Sequence, residues 1–102
     1  MSDEIRANYD QLENVASRLA SQSQQIQTML QKVKGSMSKL ENGGWIGQGA
    51  DAFFNEMTNV VLPVTTRLQN VLQEASATTK NISQTMKQAE EEAAAPFKQE
   101  AF

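Results

Sequence analysis

The spacing of the apolar residues constrains this chain more than any other feature. From Ile5 onward, apolar or small residues recur in steps that alternate between four and three, with Ser23 as the polar exception. A strand repeats every second residue, so the pattern fits a long helix packed against another helix, which we predict from about residue 3 to 41. The inward positions are Ile5, Tyr9, Leu12, Ala16, Leu19, Ser23, Ile26, Leu30, Val33, Met37 and Leu40.

A second run with the same spacing predicts another helix, from about residue 48 to 95. Its inward positions are Ala50, Phe54, Met57, Val61, Val64, Leu68, Val71, Ala75, Thr78, Ile82, either Thr85 or Met86, and Ala89. Phe53 lies beside this line and widens the apolar face beyond what a contact between two helices needs. We therefore expect the core of the hairpin, or of a dimer, to contain Leu12, Leu19, Ile26, Leu30, Val33, Met37, Phe53, Phe54, Met57, Val61, Leu68 and Val71.

Glycines and prolines mark the expected boundaries. The segment 42–44, Asn-Gly-Gly, follows the first helix, and a glycine there readily takes the left-handed conformation that caps a helix. Pro63 removes one helical hydrogen bond, and we expect a kink near it rather than a break, because the inward spacing continues in phase across it. Pro96 should end the second helix, which leaves residues 96–102 as a flexible tail.

The chain has 102 residues, enough for one small domain. Two helices of the predicted lengths extend roughly 60 and 70 Å, so a single hairpin is a thin rod with little core. We therefore predict an all-α fold, an antiparallel helix-turn-helix hairpin that dimerises into an elongated four-helix bundle. The methionines either belong to its core, which the inward positions of Met37 and Met57 favour, or form an adaptable binding groove with Met29 and Met86.

The composition argues against several classes of function. Because the chain has no Cys and no His, it lacks thiolate metal sites and the usual general base, so we expect no cofactor, no metal and no enzyme activity. The net charge of -3 is spread without a basic stripe, which disfavours nucleic acid as a partner. No apolar run approaches the about 18 residues of a membrane span, and the acidic start is unlike a signal peptide. An exported chain of this kind would leave the cell without a cleaved signal peptide.

The predicted bend carries a motif. Trp45 and Gly47 form a Trp-x-Gly between the two helices, followed by Gly49, Ala50 and Phe53. With the chain length and the central position of the motif, the whole chain resembles the WXG family of small bacterial type VII secretion proteins, the relatives of the early secreted antigenic target. The resemblance implies a protein made in the cytoplasm and secreted, acting as an export substrate or adaptor. It also implies three kinds of partner: a second copy or a sister WXG protein, the secretion ATPase, and a larger co-secreted effector.

The family also has a C-terminal element, a tyrosine followed four residues later by an acid. In such proteins this element and the Trp-x-Gly bend of the other subunit together form a bipartite export signal. This chain departs from the pattern, because its only tyrosine is Tyr9. A broader form of the element, with a hydrophobic residue in place of the tyrosine, matches Met86, Glu90, Ala93 and Phe97. The resemblance implies that these four residues are the C-terminal signal.

Each motif also has a purely structural interpretation. Trp45 can close the helical core of its own hairpin, as aromatic residues commonly do. The acidic run 90–92 can be a solvated helix end, although three acids near a helix C-terminus oppose the helix dipole. For the whole protein, the alternative function is a helical chaperone or targeting partner that sheathes the N-terminal helices of a larger effector.

Overall fold

The computed structural model describes the backbone of residues 3–100 and the side chains of residues 3–96. Helix α1 is Asp3–Asn42, α2 is Gln48–Glu56, a π-helical turn spans Met57–Val61, and α3 is Leu62–Glu100. The last three elements follow one another directly and form one arm, which returns along α1. The chain is a rod of 81 × 17 × 16 Å. The predicted all-α hairpin is confirmed.

The two ends of α1 follow from local residues. Asp3 and Glu4 lie in its first turn and Lys39 in its last, where each charge interacts favourably with the helix dipole. At the C-terminal end, the N–H of Trp45 donates to the carbonyl of Leu40 at 3.1 Å, and the N–H of Gly44 donates to that of Glu41 at 3.2 Å. This pair of bonds is the Schellman motif, which needs a residue with positive φ. Gly44, with φ of 83°, supplies it as predicted.

Small residues line the contact between α1 and α3. The buried residues of α1 recur every seven positions and are Tyr9, Ala16, Ser23 and Leu30. Ser23 donates its hydroxyl to the main-chain carbonyl of Gln69 at 3.0 Å, and Ser76 donates to that of Ala16 at 2.6 Å. These bonds require closely spaced helices and satisfy hydroxyl groups that would be costly to bury alone. Their order along the chain shows that the two helices are antiparallel.

Helix α1 follows the predicted inward face from Tyr9 to Met37. Between the buried positions, the remaining members of that face are half-buried: Leu12, Leu19, Ile26, Val33 and Met37. The two ends of the predicted face, Ile5 and Leu40, are exposed. The alternation of four and three therefore identifies the contact line of α1 except at its ends.

The returning arm changes phase at the π-helical turn. Before the turn, Ala50, Phe54 and Met57 face inward as predicted. Beyond it, the buried and half-buried residues follow the predicted ones by one position and include Leu62, Thr65, Gln69, Leu72, Ser76, Thr79 and Ser83. The predicted step from Met57 to Val61 is therefore wrong, whereas the inward spacing keeps its phase across Pro63, from Leu62 through Thr65 to Gln69. Several predicted core residues are instead exposed in the hairpin: Phe53, Val61, Leu68 and Val71.

Hydrogen bonding within the π-helical turn explains the change of phase. The N–H of Leu62 donates to the carbonyl of Met57, five residues back instead of four. The turn thus holds one extra residue, and everything beyond it is rotated by about 100° relative to a continuous α-helix. Pro63, which follows, has no N–H to donate, and in a regular helix its ring clashes with the carbonyl four residues back. A wider turn just before it relieves that clash.

The C-terminal end of α3 also differs from the prediction. The helix continues through Pro96 to Glu100 and does not end near residue 95. A proline removes only one main-chain hydrogen bond, and the preceding segment 93–95 is three alanines, the strongest helix formers. Residues 101–102 of the predicted tail lie outside the described residues.

Candidate functional site at the bend and the C-terminal segment

Three aromatic rings pack together at the tip of the hairpin. The centroid of the Trp45 ring lies 5.4 Å from that of Phe53 and 5.5 Å from that of Phe54, and the two phenylalanine centroids are 5.5 Å apart. All three pairs are tilted or edge-to-face, which aromatic rings prefer over a face-to-face stack. Trp45 nevertheless remains 41 % exposed. The ring is therefore anchored on its own chain and still offers surface to another molecule.

The main chain of the bend holds this cluster in place. Gly47 has a φ of 119°, which side-chain-bearing residues rarely adopt. Its carbonyl accepts the N–H of Asp51 at 3.0 Å, the bond that opens α2. A Cβ on Gly47 would meet nothing within 4 Å, so backbone strain and not crowding selects glycine. Gly47 is thus required by the turn that leads from Trp45 into α2.

Ile46 extends the apolar surface at the tip. It is 86 % exposed, the largest value among the exposed large apolar side chains of the described residues. The apolar spacing of the sequence did not point to Ile46 as a site residue. Its position between Trp45 and Gly47 could have indicated its exposure, because a residue there reaches the core of neither helix. Together, Trp45 and Ile46 form what we call the apolar tip.

The predicted C-terminal signal lies at the opposite end of the rod, on α3. Met86 and Ala93 are exposed, and Glu90 is half-buried. The side chain of Phe97 lies outside the described residues. Because the bend and this segment occupy opposite ends of an 81 Å rod, a single chain does not bring them together.

Glu90 is in contact with α1. Its Oε2 atom and the hydroxyl of Tyr9 are both buried, and neither makes a hydrogen bond of ordinary geometry with the described residues. Burial raises the pKa of Tyr9, and the neighbouring Glu90 carboxylate raises it further as an acceptor and as a negative charge. The acid of the predicted signal is therefore partly engaged within the hairpin. The sequence identified both residues but not their proximity, because they are far apart along the chain.

The remaining described surface adds no chemical site. Within residues 3–96, no group of three or more His, Cys, Asp or Glu side chains is placed to hold a metal ion. No described helix is both long enough and apolar enough to cross a membrane. The features that stand out on the described surface are the apolar tip, the C-terminal segment and the exposed side of α3.

The order of these features matches a known family. A family model described as proteins of 100 residues with WXG matches residues 4–91, from the first turn of α1 through the bend to Glu90 and its neighbours on α3. The chain belongs to the WXG100 family. WXG100 proteins are small helical proteins secreted through type VII systems, and this chain is a small protein associated with type VII secretion. No curated protein and no solved structure gives a significant match.

The WXG100 match includes some of the predicted signal residues and not others. Trp45, Gly47, Met86 and Glu90 lie within it, whereas Ala93 and Phe97 lie beyond residue 91. The family assignment therefore rests on the hairpin and the bend. The role of the C-terminal set stays a prediction.

Proposed function

We propose that this WXG100 protein is a secreted substrate or export adaptor of a type VII secretion system, which acts as a dimer through protein-protein contacts and without catalysis. It is made in the cytoplasm and exported through that system. Its partners are a second copy or a sister WXG protein, the secretion ATPase and a larger co-secreted effector. The observation that carries the proposal is the amount of surface that a single hairpin leaves exposed.

The solvent-accessible surface of the single chain is larger than that of a compact monomer of the same mass. The chain exposes 7757 Å². A compact monomer of its 11.3 kDa mass exposes about 5,700 Å². The excess is larger than the about 800 Å² that each partner contributes to a standard interface. A rod that covers one side with a second hairpin removes this excess.

Dimer geometry also supports a two-part export signal. In an antiparallel pair of rods related by a two-fold axis, the bend of one subunit lies beside the C-terminal segment of the other. Trp45 of one chain and Met86 and Glu90 of its partner then form a composite site at each end. The partial exposure of Trp45 supports this arrangement, because a residue that only closed its own hairpin would be covered by it.

Export of single variants tests the proposal. We expect Trp45→Ala and Glu90→Gln each to reduce export several-fold while the dimer persists. When the two variants are produced together, mixed dimers retain one intact composite site, so export should recover. Glu91→Gln is the matched control, because Glu91 is exposed beside Glu90 and outside the predicted set, and its export should equal that of the parent.

Stability must be measured in parallel. Removing a buried Trp ring costs about 3 kcal/mol or more, and Trp45 is only partly buried, so a smaller loss is expected. Thermal melts followed by circular dichroism separate lost stability from lost recognition. If both variants remain folded and dimeric and are exported like the parent, the two-part signal is wrong and the bend is only a structural corner. A partner protein that binds the single chain in place of a second copy would favour the chaperone function.

A further inference from the structure

The π-helical turn determines which side of α3 faces α1. Without the extra residue, a continuous α-helix would carry the inward line from Met57 to Val61 and on to Leu68. With it, the inward line passes through Leu62, Gln69 and Ser76. Val61, Leu68, Val71 and Ile82 are thereby turned outward, and the inward line combines Leu62 and Leu72 with polar residues such as Gln69 and Ser76. Leu68, for example, is 49 % exposed.

The outward apolar residues of both helices lie on one side of the hairpin. On α1, the exposed Val15 and Met29 each precede a buried residue by one position, and on the returning arm Val61, Leu68 and Ile82 each precede a buried or half-buried residue. In two antiparallel helices that face each other, the residues one position before the contact line of each helix lie on the same side of the pair. We call this side the apolar face, and it consists of Val15, Met29, Val61, Leu68, Val71 and Ile82.

The opposite side has a different character. The residues that follow each buried position by one are mostly polar or charged: Asp10, Ser17, Gln24 and Gln31 on α1, and Asn70, Ala77, Gln84 and Glu91 on α3. On the apolar side, the corresponding preceding positions carry no charge: Asn8, Val15, Gln22, Met29, Val61, Leu68, Ala75, Ile82 and Ala89. The hairpin is therefore amphipathic as a unit.

We propose that the π-helical turn orients α3 so that the apolar face packs against a second copy of this chain. The same orientation keeps the apolar face out of the core of the single hairpin. This inference rests on the proposed dimer. A second copy fits, because the line of positions that precede the buried residues carries no charge and meets its own image without like-charge repulsion. The charged Arg18, Lys32 and Glu74 precede only half-buried residues. One 81 × 17 Å side of the rod also exceeds the about 800 Å² that each partner buries in a standard interface.

Two serines, Ser23 on α1 and Ser76 on α3, explain how the hairpin closes without those apolar residues. The bonds from Ser23 to the Gln69 carbonyl and from Ser76 to the Ala16 carbonyl hold α3 in its rotated position. Since Ala16 and Ser83 are fully buried, the helices lie close enough for small side chains to fill the contact. The π-helical turn reconciles this polar contact with the apolar contact that Phe54 and Met57 make near the bend.

Changes of one residue in the turn test the inference. Deletion of Thr58 removes the extra residue and makes the turn α-helical, so α3 should keep its orientation and the protein its dimeric mass. An alanine inserted between Thr58 and Asn59 should rotate α3 by one position and turn the apolar face into the hairpin. The inserted variant should then be a helical monomer of half the parent mass by light scattering.

Disulfide formation between introduced cysteines measures the rotation of α3, since the natural chain has no cysteine. In the parent and in the deletion variant, Ala16→Cys should form an intrachain disulfide with Ser76→Cys and not with Ala75→Cys. In the insertion variant the preference should switch to Ala75→Cys. If the deletion variant is too unstable because Pro63 then lies in a regular helix, the same deletion with Pro63→Ala replaces it.

The two kinds of failure are distinguishable. A parent that is monomeric at every concentration overturns the proposed dimer, and with it the second copy as occupant. Disulfide preferences that do not follow the insertion and the deletion overturn the role of the π-helical turn, whatever the mass. Preferences that switch while the inserted variant stays dimeric show that the apolar face is not the dimer interface.

Discussion

At the scale of single residues, the hairpin treats its buried polar atoms in two ways. Ser23 and Ser76 donate to main-chain carbonyls of the opposite helix. By contrast, the hydroxyls of Tyr9 and Ser83 and one carboxylate oxygen of Glu90 are buried and make no hydrogen bond of ordinary geometry with the described residues. All three lie toward the open end of the hairpin, beyond the Ser76 bond. Burying polar groups in this state costs free energy, so the open end is the less stable end.

The Tyr9 phenol makes this end sensitive to alkaline pH. Burial and the Glu90 carboxylate raise the pKa of Tyr9 above its usual value of 10.0, so the folded chain holds the phenol proton more tightly than the unfolded chain. That contribution to stability is fully present below pH 10.0 and is lost as the pH rises through the raised pKa. We expect Tyr9→Phe to lack this alkaline component.

Denaturant unfolding of parent and variant over the alkaline range measures the difference. A spectrophotometric titration of the phenolate is unambiguous, because Tyr9 is the only tyrosine. A phenol that ionises at its ordinary pKa in the folded protein would contradict the contact between Tyr9 and Glu90. The phenylalanine variant is the control, because it differs from the parent only in the phenol hydroxyl.

At the scale of elements, the sequence predicts α1 better than α3. The inward line of α1 is uninterrupted from Tyr9 to Met37, so its periodicity alone identifies it. In α3 the apolar periodicity identifies a real face, but that face points away from α1. Period and composition cannot tell a helix that contacts its own hairpin from one that contacts a second chain. Pro63 was the one local signal of an irregular helix. A proline can follow a π-helical turn or cause a simple kink, and the sequence does not distinguish the two.

The same limit applies to the candidate site. The Trp-x-Gly motif predicted the bend and the position of Trp45 within it, because a turn glycine determines the backbone conformation of its own segment. The aromatic cluster of Trp45, Phe53 and Phe54 needed the structure, since Phe53 had been placed among the core residues. The contact between Tyr9 and Glu90 also became visible only in the structure, because no local sequence pattern links residues at the two ends of a chain.

Two glycines should respond oppositely to the same substitution. Gly44→Ala forces a side chain into a φ of 83°, which costs about 1–2 kcal/mol. Gly35→Ala replaces a glycine within α1, where a Cβ meets nothing within 4 Å, and should stabilise by up to about 1 kcal/mol. Thermal and urea unfolding of both variants measure the two changes. Equal shifts of the same sign would contradict the assigned cap.

At the scale of the whole molecule, the hairpin is a thin amphipathic rod. Its radius of gyration is 22.9 Å, against about 13 Å for a compact chain of 100 residues. Such a shape has little interior, so many of its large apolar residues remain more than a third exposed. Stability and assembly are therefore coupled, because a partner on the apolar face adds the burial that the single rod lacks.

Two leucines separate folding from assembly. Leu30→Asp places an unpaired carboxylate in the buried contact of α1 and should prevent the hairpin from folding. Leu68→Asp places the same group on the apolar face, so the hairpin should remain helical while the mass falls to that of a monomer. Circular dichroism and light scattering read the two outcomes. A Leu68→Asp variant that stays dimeric would remove the apolar face from the interface.

The hairpin topology has a consequence for the order in which the rod opens. Every contact between α1 and α3 encloses the bend, and the enclosed chain grows outward, from a separation of 46 residues for Ser23 and Gln69 to 60 for Ser76 and Ala16. Closure thus proceeds like a zipper from the tip, and unzipping starts at the far end. Amide hydrogen exchange should accordingly slow from the chain ends toward the bend. The segment around Glu90 separates from α1 while Trp45 is still held in a folded turn.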